Sequence, residues 1–149
     1  MILHHLFKNA DIRLAMQEQA AGIANVNGNS IDTLGYDAVA FVGIWGALTA
    51  TQVSQFKVQG SNDNATWTDI AGSHTTLLTD GQSHTVNVID VYRTGYRYLR
   101  LVALRATANA VIDGAVAILY HNENSPSAFA DASVASAPTF VYLATAGTP

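Results

Sequence analysis

Hydrolytic catalysis needs a nucleophile with an oriented base, or paired carboxylates. The sequence offers neither in a recognisable spacing. It contains no G-x-S-x-G, H-E-x-x-H, Walker A or G-x-G-x-x-G pattern. With no Cys it has no thiol nucleophile, no Cys-based zinc site and no disulfide framework. The histidines are His4, His5, His74, His84 and His121. His4 and His5 are adjacent and could bind a metal, but neighbouring residues on a helix or strand point in different directions. His74 and His84 flank an expected loop, where solvated or hydrogen-bonded roles are commoner. Asp63, Asp69 and Asp80 lie near Gly/Asn turns and could help bind calcium. Asx side chains bonding to the local turn backbone account for most such residues. The expectation is a non-enzymatic chain with no catalytic residue, no cofactor and no metal.

Two other groups could bind a partner. Arg93, Arg97, Arg100 and Arg105 are four of the seven Lys+Arg residues. They could form a basic patch for an acidic surface or a phosphate. However, Arg100 falls on the opposite strand parity from Arg97 and Arg105, so they make no single stripe. Arginines whose stems cover apolar surface at a sheet rim are the plainer reading, with room for some intersubunit salt bridges. Trp45 and Trp67 could stack on sugars. Trp45 lies inside an apolar run and reads as core. Trp67 follows an Asn/Asp turn and reads as a plug at a sandwich edge.

The elements that would position these residues are mostly strands. Val39, Phe41, Gly43 and Trp45 alternate with Ala40, Val42 and Ile44. Both sets are apolar, which predicts a strand covered on both faces. Strands are also expected at Val53 to Gln59, Trp67 to Ala71, His84 to Val91, Tyr98 to Arg105 and Val111 to Tyr120. Gly/Asn/Asp turn signals such as Gly60 to Asn64 and Asp80-Gly81 separate them. Residues 1–22 alone read as helical, because Ile12, Ala15, Met16 and Gln19 recur at i, i+3, i+4 spacing. This segment is either a helix packed on the domain or an arm reaching a neighbour. Residues 122–149 are rich in Ala, Ser, Thr and Pro and carry one β-like run, Thr139 to Ala144.

Composition narrows the class. Only 12% of the 149 residues are charged and 49% are hydrophobic, against about 25% charged in typical domains. Mean hydropathy is +0.17. Disorder is excluded for most of the chain. So is a membrane span, since the apolar stretch Ala38 to Ala50 is broken by Gly43, Gly46 and Thr49 and is too short. A net charge of −4 argues against an electrostatically driven nucleic-acid binder. No signal peptide is evident. The charge deficit is sharpest at the ends: residues 1–10 contain only Lys8, and residues 124–149 only Asp131.

Four segments carry a resemblance. Phe56 to Asp69, reading FKVQGSNDNATWTD, and Tyr96 to Leu101, reading YRYLRL, resemble the strand–turn–strand and later strand signatures of discoidin-like jelly-roll sandwiches. Ile31 to Val39, reading IDTLGYDAV, and Ala115 to Leu119 followed by a polar, Pro-containing tail resemble small virion proteins of tailed bacteriophages built on the same sandwich. The resemblance spans about Ile31 to Pro126. Discoidin domains typically close their ends with a disulfide, which this chain lacks, and their ligand loops find no match here. The phage resemblance implies a capsid cement or decoration protein.

The expected fold is all-β, an antiparallel, jelly-roll-like β-sandwich at residues 23–121, with a short N-terminal helix or arm at 1–22 and a C-terminal extension at 122–149 contacting a neighbour. The resemblance implies a subunit on the outer surface of the capsid, assembled in the host cytoplasm, that bridges the major capsid protein. It also implies self-association as a homo-dimer or trimer, with no nucleic-acid or membrane partner. The alternative is a carbohydrate-binding module, or another head-tail or tail component, that touches the host surface. The expected contact residues are Ile2, Leu3, Leu6 and Phe7 at one end and Phe129, Phe140, Val141, Tyr142 and Leu143 at the other. Their apolar side chains exceed what the sandwich of a monomer needs.

Overall fold

The computed structural model describes residues 6–122. A 3-10 turn, Leu6–Lys8, leads into ten strands: β1 (Ala10–Met16), β2 (Gln19–Gly22), β3 (Val26–Asn27), β4 (Ile31–Asp32), β5 (Tyr36–Leu48), β6 (Val53–Ser61), β7 (Thr68–Asp69), β8 (Val86–Tyr92), β9 (Tyr98–Ala106) and β10 (Ala110–Asn122). They form two antiparallel sheets. The first has the order β1-β10-β5-β8, with β2 pairing the opposite end of β10. The second has the order β3-β9-β6-β7, with β4 also on β9. The expected antiparallel β-sandwich is observed, and the expected strands at 39–45, 53–59, 98–105 and 111–120 all lie within observed ones.

The helix expected within residues 1–22 is corrected: residues 10–16 and 19–22 are strands of the first sheet. The physical reason is a bulge. β1 pairs with β10 in register from Ala10↔Tyr120 to Leu14↔Val116, and then Met16 pairs Ala115, leaving Ala15 extra. Two consecutive residues therefore turn inward, and Ala15 and Met16 are both buried. Period-2 alternation interrupted in this way mimics helical spacing.

The inner faces of the two sheets form one core around Phe41, Trp45, Phe56, Leu101, Ile112 and Leu119. The Trp45 and Phe56 rings lie 4.4 Å apart between centroids. The Trp45 indole donates to Asn87 Oδ1 at 3.0 Å, so its one polar atom is satisfied. Gly43 is required beneath Phe56, because a Cβ there would sit 2.5 Å from the ring.

One open side of the sandwich is held by charges. Asp11 and Arg13 pair with the core-facing Leu119 and Ala117, so they face inward at the sheet edge. Arg13 binds Asp11 at 3.0 Å and donates to the Asp32 carbonyl of the second sheet at 2.6 Å. The Asp32 carboxylate binds Arg97 at 2.9 Å. Toward the far end Arg105 is buried without a carboxylate. It donates to the carbonyls of Ala20, Ala24 and Ala110 at 2.8 to 2.9 Å, tying β2 and the following loop to β9 and β10.

Candidate interaction face

An antiparallel sheet on a sandwich surface usually turns a polar face to water. The second sheet does so: Lys57 pairs Asp69 at 2.7 Å, and Arg100 donates to Gln59 and stacks on Trp67 at 4.3 Å. The first sheet does not. Direct cross-strand partners share a face, so its outer surface can be read in rows from the register. One row is Leu14–Val116–Val42–Val88 across β1, β10, β5 and β8. The next is Ile12–Ile118–Ala40–Asp90, and a shorter one is Gly114–Ile44–Val86. Asp90 is the one charged side chain in these three rows.

Exposure is high at the β8 side: Val88 is 58% exposed, Val86 54% and Ile44 41%. Contiguous exposed apolar patches are where protein–protein contacts commonly form, which makes this face a candidate. A row toward the chain ends, Ala10–Tyr120–Ala38–Tyr92, leads into a polar rim. The Tyr120 hydroxyl donates to Asp90 at 2.6 Å, which pushes the Tyr120 pKa up to about 12 and keeps the phenol neutral. Beyond it, Asp37 faces Arg93 at 3.4 Å and His121 at 3.2 Å, and Arg93 and His121 both contact the Tyr92 ring. An apolar centre with a polar rim is the usual anatomy of a protein interface.

The size of the patch decides how strong it can be alone. Covering the exposed remainder of Ile44, Val86, Val88 and Tyr92 is worth about 1 kcal/mol each. Association opposes this with about 4–15 kcal/mol of lost freedom. The face by itself supports only weak association, and further contacts or repetition must add to it.

Of the expected contact residues, Leu6 is 59% exposed and Phe7 half-buried, both just before β1. Ile2, Leu3, Phe129, Phe140, Val141, Tyr142 and Leu143 lie outside the described residues. The structure does bring the two ends of the described chain together. Ala10 pairs Tyr120, and Asn122 pairs Tyr36, so both ends leave from one end of the first sheet beside the apolar rows. The face itself was missed as a site, although the signal was present in Ala40, Val42 and Ile44 alternating with an equally apolar set.

The other candidates have local roles. Asp63 accepts from the backbone N–H of Ala65 and Thr66 and from the hydroxyls of Ser61 and Thr66, which holds its carboxyl far below the usual range. Asp69 is lowered by its bonds from Lys57 and Gln59. Asp80 accepts from the Thr51 N–H. Among the described residues no three His, Asp or Glu come together to hold a metal ion. All four arginines of the 93–105 cluster are engaged within the chain. Trp45 is core, and Trp67 is half-buried under Arg100. A cleft of about 440 Å³ opens at the end of the sandwich, walled by Thr33, Tyr36, Asp37, Arg93 and Tyr96 over Val39 and Leu99.

No protein-family model and no curated protein matches the sequence. Solved structures match the fold. A chain of the T13 particle of infectious bursal disease virus superposes with a TM-score of 0.53 at 13% identity, over 78% of this chain and 32% of that one. A mutant VP2 protein of the same virus, forming derived T=1 particles, gives 0.50 at 14% identity over 78% and 32%. The SPBc2 prophage-derived protein YomS gives 0.47 at 15% identity over 74% and 92%. The chain thus spans about a third of the length of the viral particle chains, and what it shares with them is a two-sheet β-sandwich.

Proposed function

We propose that this chain is a non-enzymatic virion structural protein, most specifically a capsid cement or decoration protein of a bacteriophage. It would sit on the outer surface of the head, having assembled in the host cytoplasm, and bridge subunits of the major capsid protein. It would self-associate as a homo-dimer or trimer. The observation that carries this reading is the set of apolar rows on the outer face of the first sheet, with both described chain ends leaving beside it. Sandwiches of this kind in viral particle chains support it as a fold suited to shell building.

The physical mechanism is mass action. Contacts made only on the assembled shell stabilise that shell against its parts. Each contact is weak, but many copies on one particle act together. Ile2, Leu3, Leu6 and Phe7, with Phe129, Phe140, Val141, Tyr142 and Leu143, would supply the contacts that the sheet face lacks. Heating purified heads with and without the added protein tests the reading. Decorated heads should open at a higher temperature, and equal opening temperatures would refute it.

A second reading is a glycan-binding module that touches the host surface. The end cleft favours it, because Tyr36 and Tyr96 offer rings and Asp37 and Arg93 offer hydrogen bonds over an apolar floor. A glycan array with specific hits that Tyr96→Ala abolishes would support this reading over the first.

A further inference from the structure

We infer that the outer face of the first sheet receives the Phe140–Leu143 segment of a second copy of this chain. The inference rests on the structural-subunit reading and names what covers its apolar face. Three observations lead to it.

The first is chemical. The central rows, Leu14–Val116–Val42–Val88 and Gly114–Ile44–Val86, present aliphatic side chains and no charge. An occupant that covers them without stranding a charge must itself be neutral and apolar. Residues 139–144 read TFVYLA, and residues 124–149 carry a single charge, Asp131. Alternating bulky side chains on a short β-like run fit a pleated surface.

The second is reach. The outer-face rows from Gly114 to Tyr120 cover about 20 Å along the strands. The sixteen residues 123–138 can span about 55 Å when extended. The spacer is long enough to leave one sandwich and cross a neighbouring one.

The third is direction. β10 carries the centre of the face and runs from Ala110 to Asn122, so the chain passes the rows and leaves them behind. It exits at the end where Tyr36 begins β5, pointing away from its own apolar surface. Covering its own face would require the chain to reverse direction, whereas reaching a second copy would not. Exchange of such arms links copies without burying a sheet edge.

Because the chain has no cysteine, introduced ones report cleanly. Full-length Val88→Cys and full-length Tyr142→Cys would be co-expressed with different tags and oxidised with glutathione disulfide. The expected product is a disulfide heterodimer of the two variants, absent when Tyr142→Cys is replaced by Ser136→Cys. Val86→Cys serves as the second probe of the face, since Val86, like Val88, is exposed. A Val88–Val88 homodimer as the main product would instead show two faces packed together and overturn the inference. An internal disulfide in the Val88→Cys/Tyr142→Cys double variant, with no heterodimer, would show that the segment covers its own face, and would also overturn it. So would the absence of any cross-link. Particle binding, measured separately by co-sedimentation, distinguishes the two levels: binding without heterodimer removes this inference and leaves the structural reading, and heterodimer without binding does the reverse.

Discussion

Val42 on β5 and Val88 on β8 are direct cross-strand neighbours, and both point away from the core. Their row continues through Val116 to Leu14, so four strands offer aliphatic groups to the outside. Val88 is 58% exposed, so little of it contributes to the fold. Val88→Lys should therefore change unfolding free energy by less than about 0.5 kcal/mol. It should nevertheless remove stable binding to phage heads, because the ammonium would have to be buried unpaired under the neighbouring copy's arm, and copies that are not linked bind only weakly. Chemical denaturation and co-sedimentation of the same variant check the two halves.

Gly43 should be intolerant for a different reason. Its position faces the Phe56 ring, with a Cβ placed at 2.5 Å. Gly43→Ala forces that ring from its place against Trp45 and should destabilise by about 1–3 kcal/mol, as overpacked cores do. An unchanged denaturant midpoint would contradict the packing described here.

Arg105 is a buried cation bound by three backbone carbonyls, those of Ala20, Ala24 and Ala110. Arg105→Met fills similar space but leaves these acceptors without donors. Of the three, the bond to Ala110 is fully buried; at about 1–3 kcal/mol for a buried unsatisfied group, partly offset by the relief of a desolvated charge, a net loss of about 1–2 kcal/mol follows. Amide exchange should accelerate first in β2 and the loop before β3, which the guanidinium holds.

Acid should weaken the fold through carboxylates held low by hydrogen bonds. Arg97 lowers Asp32, Lys57 and Gln59 lower Asp69, and the Thr66 and Ala65 backbone N–H groups lower Asp63. A folded value below the ordinary 3.8 contributes stability that is complete above that pH and is lost as pH falls through the folded value. Asp63→Ala should thus lower the melting temperature at neutral pH, and the gap from the wild type should narrow steadily as pH is taken below about 4. A gap that stays constant down to the acid limit would exclude the turn carboxylate as its source.

Much of the fold was legible because period-2 alternation survives in single strands. Phe56 and Val58 against Lys57 and Gln59 gave β6 its inner and outer faces without ambiguity. β1 was not legible, since the bulge at Ala15 converts alternation into helical spacing, and only the pairing with β10 reveals it. β3, β4 and β7 are two residues each, too short to carry a pattern. The candidate face was half legible: the apolar outer set on β5 predicted a covered strand, but its alignment with Leu14, Val116 and Val88 is set by register between distant segments. The interior position of Asp11 and Arg13 was hidden too, because it depends on the edge of the other sheet.

The central claim is that this chain binds the outside of a phage head as linked copies, and that the first sheet's outer face, covered by a neighbouring copy's arm, makes the link. Co-sedimentation of wild type and Val42→Lys/Val88→Lys with purified undecorated heads tests it most directly. The account predicts saturable, stoichiometric binding of the wild type and no binding of a variant that remains folded. Failure of the wild type to bind, or equal binding by the folded variant, would contradict it.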